Sequence, residues 1–200
     1  YMTVRLDGSD YYQDSSMDTY VTQTPAIDGD SIVAQWSLPT NVGVSQRLTL
    51  QSNTTQYRVT VTNNDATSHE VKIRFLLDTM LAYNDGAPFI VPGVGNVTTE
   101  QEHTNPVFDY WQATDDLVNP TLTSNCTFDT GNKPYKVQFA YWWDIYDVPF
   151  DYAITSGQSI TSDTAVGMYW NLGMLSPSET KDVIFYYGTA SAIIGAPEVS

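Results

Sequence analysis

Cysteine is almost missing from this chain: Cys126 is the only one in 200 residues. A single thiol excludes any intrachain disulfide and any zinc centre built on cysteine. Cations are scarce too, with 8 Lys and Arg against 23 Asp and Glu and a formal net charge of −15. A surface of that sign repels phosphate backbones and anionic lipid, so nucleic-acid partners and polybasic membrane attachment are excluded. No apolar run approaches the roughly 20 residues of a membrane-spanning helix. Histidine is limited to His69 and His103. There is no Gly-x-Ser-x-Gly, no His-Glu-x-x-His, no phosphate-cradling glycine loop and no dinucleotide fingerprint.

What is present points to strands. The acidity comes from 18 Asp against 5 Glu, and Asp suits turns and metal loops where Glu suits helices. Thr, Val, Tyr, Ser and Asn are plentiful, and 42% hydrophobic with 13% aromatic residues supplies a real core. Alternation of period two recurs along the chain. Ile32, Ala34, Trp36 and Leu38 share a face, as do Tyr57, Val59 and Val61, and Val71, Ile73, Phe75 and Leu77. Val137, Phe139 and Tyr141 repeat the pattern, followed by Val183, Phe185 and Tyr187. Asp7-Gly8, Asp28-Gly29-Asp30 and Thr130-Gly131-Asn132 supply turns. The pattern predicts an all-β fold, a two-layer antiparallel β-sandwich of about ten strands in a single domain. Residues 63–69 read as a hairpin turn. The weakly patterned stretch 83–107 reads as a long functional or covering loop. The chain opens on Tyr1 without an initiator Met or a signal-peptide pattern, which leads us to expect a processed or excised segment.

Several runs together resemble a known kind of module. They are Tyr57-Arg-Val-Thr-Val-Thr-Asn63, Arg74-Phe-Leu-Leu-Asp-Thr-Met80, Asn84-Asp-Gly-Ala-Pro-Phe89, Asp109-Tyr-Trp111, Asn119-Pro120, Ala140-Tyr-Trp142 and Tyr186-Tyr-Gly188. In this order they resemble a β-sandwich module of secreted and surface-anchored archaeal and bacterial proteins, over about residues 54–188. The resemblance implies an extracellular or cell-surface sandwich, with a large two-sheet architecture like that of galactose mutarotase as one form. It carries no catalytic residue over.

Three kinds of chemistry can be read from the residues. Asp78, Asn84 and Asp85 bring oxygen ligands from a strand end and an Asp-Gly turn, a set suited to Ca²⁺, with an Asx-turn as the alternative. Asp115 and Asp116, or Asp144, Asp147 and Asp151, are other acidic groupings. For sugar chemistry, paired carboxylates or His with Glu would be needed, and His103 with Glu100 and Glu102 is the better material. Outward Tyr and Trp beside Asp could stack sugar rings or bury against a partner subunit. Asn53, Asn96 and Asn125 head glycosylation sequons.

The segment 190–200 follows the last strong strand and carries Ile193, Ile194 and Val199, a candidate assembly tail. Three functions therefore stay open. The first is a non-enzymatic structural subunit of an extracellular filament, tube or layer, self-associating through sheet edges. The second is a carbohydrate-binding or adhesive module that meets glycans. The third is a sugar-active enzyme.

Overall fold

The computed structural model describes residues 1–190. The strands begin with β1 (Met2–Leu6), β2 (Ser9–Tyr12), β3 (Val21–Asp28), β4 (Ser31–Leu38), β5 (Val42–Gln51), β6 (Thr54–Asn63) and β7 (His69–Asp78). Next come β8 (Phe89–Val91), β9 (Gly95–Val97), β10 (Gln101–Thr104), β11 (Tyr110–Thr114) and β12 (Thr123–Phe128). The last are β13 (Lys136–Tyr141), β14 (Thr164–Leu175) and β15 (Thr180–Ala190), with the one-turn helix α1 (Trp142–Tyr146) after β13. They form a six-stranded sheet in the order β10-β13-β14-β7-β1-β2 and a nine-stranded sheet in the order β3-β4-β5-β6-β15-β12-β11-β8-β9. Every strand pairing is antiparallel. The sandwich expected from the alternation is the fold observed. The described residues hold fifteen strands where about ten were expected, because several three- and four-residue strands are too short to show a period.

The core lies between the sheets. Val4, Ile73, Phe75, Met168 and Trp170 face Val59, Val61, Trp111, Cys126 and Phe185, all buried. Phe185 stacks on Trp170 at 5.8 Å and meets Phe75 edge-on at 4.9 Å. Each such side chain contributes about 1.5–3 kcal/mol by burial. The other face of the six-stranded sheet is also covered. There Leu76, Ala140 and Ala165 pack under Trp142, Ile145 and Tyr152 of the chain between β13 and β14. Gly167 makes this approach feasible, because a Cβ there would come within 3.1 Å of Ile145 and of the Tyr169 ring.

One expectation needs correction, and one further feature shapes the cover. Residues 63–69 are not a hairpin: β6 belongs to the nine-stranded sheet and β7 to the six-stranded one, so the segment crosses between layers. Hydrophobic alternation marks strands but does not say which sheet receives them. Also, Trp142 and Trp143 do not continue a strand. The chain turns into α1 at Trp142, which places Trp142 inside and leaves Trp143 59% exposed.

The crossover is held by one imidazole. His69 Nδ1 lies 2.6 Å from Asp7 Oδ2 in the β1–β2 turn, and its Nε2 lies 3.0 Å from Asp65 Oδ2. These two carboxylates, Asp7 first, raise the His69 pKa above its ordinary value. A raised histidine pKa stabilises the fold fully below the unfolded value of about 6.5, and that stability is lost as pH rises through the folded pKa. We therefore expect His69 to make the thermal midpoint fall as pH rises above about 6.5. In His69→Gln that fall should disappear, as scanning calorimetry across the range would reveal.

Candidate functional site

The segment that covers the outer face of the six-stranded sheet is gripped by two buried charges of opposite sign. Arg74, on β7, is 2% exposed and donates from Nη1 to the carbonyls of Val148 (2.6 Å) and Pro149 (2.8 Å) and from Nη2 to that of Ile145 (2.8 Å). Glu100, just before β10, accepts from the Tyr141 amide (3.0 Å), the Tyr152 hydroxyl (2.7 Å) and the Thr155 amide (2.5 Å). Among the described residues neither forms a salt bridge. Arg74 reaches this face because alternation along β7 sends Ile73 and Phe75 inward and Arg74 outward. Charge-assisted bonds to backbone groups are about twice as strong as neutral ones.

A cleft of about 200 Å³ opens here, lined by Arg74, by Tyr1, Tyr12 and Tyr146 and by Asp14 and Asp147. The three rings are 37–47% exposed. Tyr146 stacks on Trp142 at 4.8 Å, and Tyr1 meets it edge-on at 5.4 Å. Burial raises the Tyr1 phenol pKa, as do Tyr146, Asp14 and Asp78. Tyr1 also exchanges backbone hydrogen bonds with Leu76, two residues before Asp78, the first of a set of carboxylates.

Asp78 at the end of β7, Asp85 in the following turn and Asp163 just before β14 bring carboxylate oxygens within 4.8 Å of one another. Burial, then Asp85 and Asp78, push the Asp163 pKa up to about 6. Asp78 is raised by burial and by Asp85. The turn is fixed to β14 by the Thr164 amide, which donates to the Asp85 carbonyl at 2.8 Å. Three carboxylates this close repel one another, and a divalent ion with oxygen preference would relieve that repulsion.

The sequence foresaw Asp78 and Asp85 here but not Asp163, which is far along the chain and joins them only because β7 pairs with β14. Asn84 is engaged within the turn. Its Oδ1 accepts from the Gly86 amide at 3.0 Å and its Nδ2 donates to the Asp115 carbonyl, the Asx-turn alternative. Asp115 and Asp116 cap the turn that precedes β12 through backbone amides. Asp144 accepts from Gln158, and Asp151 pairs with Arg5 at 2.6 Å. His103 and Glu100 do not converge. His103 packs against Phe108 and Phe139 and sits 3.2 Å from Gln101, while Glu100 is spent on the backbone as described. Asn53 and Asn96 are exposed, Asn53 using its amide on the Thr189 carbonyl, and Asn125 is half-buried with its amide on Thr127. Ile193, Ile194 and Val199 lie outside the described residues, and Ala190 belongs to β15 rather than to a tail. Tyr1, Tyr12, Asp14 and Tyr146 were missed as a set, since nothing local in the sequence links four positions brought together by sheet order.

No protein-family pattern and no curated protein matches the chain. Solved structures do. The Slr1438 protein of Synechocystis superposes with a TM-score of 0.54 at 8% identity, over 86% of this chain and 65% of its own. A galactose mutarotase-like protein of Lactobacillus casei gives 0.52 at 8% identity, over 94% and 85%. A candidate aldose 1-epimerase of Escherichia coli K12 gives 0.51 at 8% identity, over 85% and 68%. This chain thus spans about two thirds of the length of the first of them. The mutarotase-like sandwich implied by the sequence resemblance is the fold. The expectation of a non-enzymatic, self-associating filament or layer subunit is corrected by the same finding, because this architecture is that of proteins named for sugar conversion.

The carboxylate turn depends on Gly86, where a Cβ would lie 1.7 Å from the Thr161 carbonyl oxygen. Overpacking against backbone costs about 1–3 kcal/mol or more. Gly86→Ala should therefore lower the thermal midpoint by about 2–12 °C, measured by differential scanning fluorimetry.

Proposed function

We propose that this chain is a sugar-active β-sandwich whose tyrosine cleft receives a single sugar ring. The observation that carries this reading is the cleft itself, with three partly exposed phenol rings and two carboxylates on a sheet face of a mutarotase-like sandwich. A pyranose presents an apolar C–H face to aromatic rings and hydroxyl donors to carboxylates. At about 200 Å³ the cleft is smaller than the roughly 300–1,000 Å³ of sites for drug-sized ligands, which favours one ring over an oligosaccharide. For chemistry at an anomeric carbon, Asp14 and Asp147 are the groups able to accept a hydroxyl proton, and the phenols of Tyr12 and Tyr146 are able to return one.

Ca²⁺ is part of the proposal, held by Asp78, Asp85 and Asp163 next to Tyr1. An extracellular setting, rich in calcium and free of any need for cysteine pairing, is the one that suits it. The support is the proximity of the three carboxylate oxygens and the raised pKa values of Asp78 and Asp163.

Two expected outcomes follow. Titration with galactose and glucose, read by calorimetry or saturation-transfer NMR, should show binding. Tyr146→Ala and Asp147→Asn should each weaken it about tenfold or more, in line with the loss of one stacked ring or one charged hydrogen bond. Polarimetry on freshly dissolved α-galactose should show anomer exchange above the spontaneous rate. Absence of binding at about tenfold above the usual millimolar sugar affinities would overturn the reading. Separately, Ca²⁺ should raise the thermal midpoint and chelator should reverse the gain, with Asp163→Asn insensitive to both. Because protons compete for Asp163, the Ca²⁺-dependent gain should shrink as pH falls through about 6. Identical melting with and without the ion would remove calcium from the proposal.

A further inference from the structure

Arg74 presents an unusual arrangement for a buried cation. It is 2% exposed, has no carboxylate partner among the described residues, and leaves its Nε without a hydrogen-bond acceptor. Burying an uncompensated charge is costly, so an arginine kept solely to fill this space would be a poor choice beside Leu or Met. What the guanidinium does here is geometric. Its two terminal nitrogens make three bonds, all to carbonyls of one short stretch, Ile145 to Pro149. That stretch contains the two residues that form one wall of the cleft, Tyr146 and Asp147. The Tyr146 ring is fixed from the other side by Trp142, at 4.8 Å and 29°. Arg74 in turn is fixed by the sheet, opposite Tyr169 on β14 and Thr3 on β1, with its guanidinium carbon 5.8 Å from the Tyr169 ring centroid.

A planar fork with donors in a set geometry can hold three carbonyls in one arrangement, which an ammonium on a flexible stem cannot. Resting on the reading of the cleft as a sugar site, we propose that Arg74 is a positioning residue for sugar recognition, holding the Tyr146–Asp147 wall at the distance and angle the ring requires. Arg74 also lines the cleft, but its terminal nitrogens are committed to these carbonyls. Its cost in stability is retained because it sets the wall, as preorganised sites require.

Glu100 provides the internal contrast. It anchors the same covering segment through Tyr141, Tyr152 and Thr155, positions outside the cleft. If Arg74 acts only by keeping the segment attached, loosening the Glu100 end should affect binding equally. The experiment compares the full chain with Arg74→Ala, Arg74→Lys and Glu100→Gln, measuring galactose affinity by calorimetry and fold integrity by circular dichroism and thermal melting. Arg74→Lys keeps charge and bulk, and it serves if Arg74→Ala does not fold.

We expect both Arg74 variants to bind at least tenfold more weakly, while Glu100→Gln lowers the melting temperature yet binds within about twofold of the unaltered chain. Methylguanidinium added to Arg74→Ala should recover part of the affinity, and recovery should be absent in Glu100→Gln. Unchanged affinity in the Arg74 variants would overturn the proposal. So would an equal loss in Glu100→Gln, or methylguanidinium that restores the melting temperature without affinity. Failure of the unaltered chain to bind any sugar is a different result, since it condemns the cleft reading on which this one rests.

Discussion

The outer face of the six-stranded sheet depends on a constraint that sandwiches usually avoid, a layer of irregular chain lying on strands. Loop backbone carries donors and acceptors that must be satisfied when it is buried. Here Arg74 answers the carbonyls and Glu100 answers the amides of the stretch from Tyr141 to Thr155. The two side chains work as a complementary pair without touching, one supplying donors and the other acceptors. Around them Leu76, Ala140, Ala165, Trp142, Ile145 and Tyr152 form a small second core. The cleft lies between that cover and the start of the chain, with Tyr146 and Asp147 on one side and Tyr1, Tyr12 and Asp14 on the other.

Charge is distributed accordingly. Although the chain is strongly acidic overall, half of its eight basic residues, namely Arg5, Lys72, Arg74 and Lys136, sit on this one sheet face. Arg5 bridges Asp10 and Asp151 and lies 4.2 Å from the Phe150 ring, and Lys136 lies 4.1 Å from the Tyr169 ring centroid. Arg5 thus ties cover to sheet by charge and by cation–π contact, while Lys136 braces neighbouring strands within the sheet. The remaining carboxylates are left to the rim, where Asp14, Asp147 and the Asp78–Asp85–Asp163 set gather.

The layers were legible in the sequence because a half-buried strand must alternate, and β6, β7, β13 and β15 all do. The partners of each strand were not legible. Nothing in the composition of Asn63–His69 distinguishes a tight hairpin from a step between sheets, and the step decides that Asp78 meets Asp163 and that Arg74 lies beside Tyr169. The short strands β8, β9 and β10 escaped for another reason. Their pairing is dictated by neighbours already in place, not by their own three or four residues. The same applies to Trp142, whose entry into a helical turn is set by the buried surface beneath Ile145 rather than by local propensity. The site was half visible. Asp78 and Asp85 stand close in sequence, whereas the tyrosines of the cleft come from three separate segments.

The order of strands also has a consequence for the chain as it is made. At the centre of one sheet β7 pairs with β14, and at the centre of the other β6 pairs with β15. Both seams wait for strands near the end of the described chain. A ribosome that has delivered β1 to β7 has therefore released two adjoining strands, joined by the crossover, each with one hydrogen-bonding edge still open. The apolar faces of Val59 and Val61 and of Ile73 and Phe75 stay without their final neighbours through the synthesis of some hundred further residues, from β7 to β15. At about 5–20 residues per second that is a wait of about 5–20 s. The long separation of its pairing partners marks this sandwich as a slow, late-closing folder.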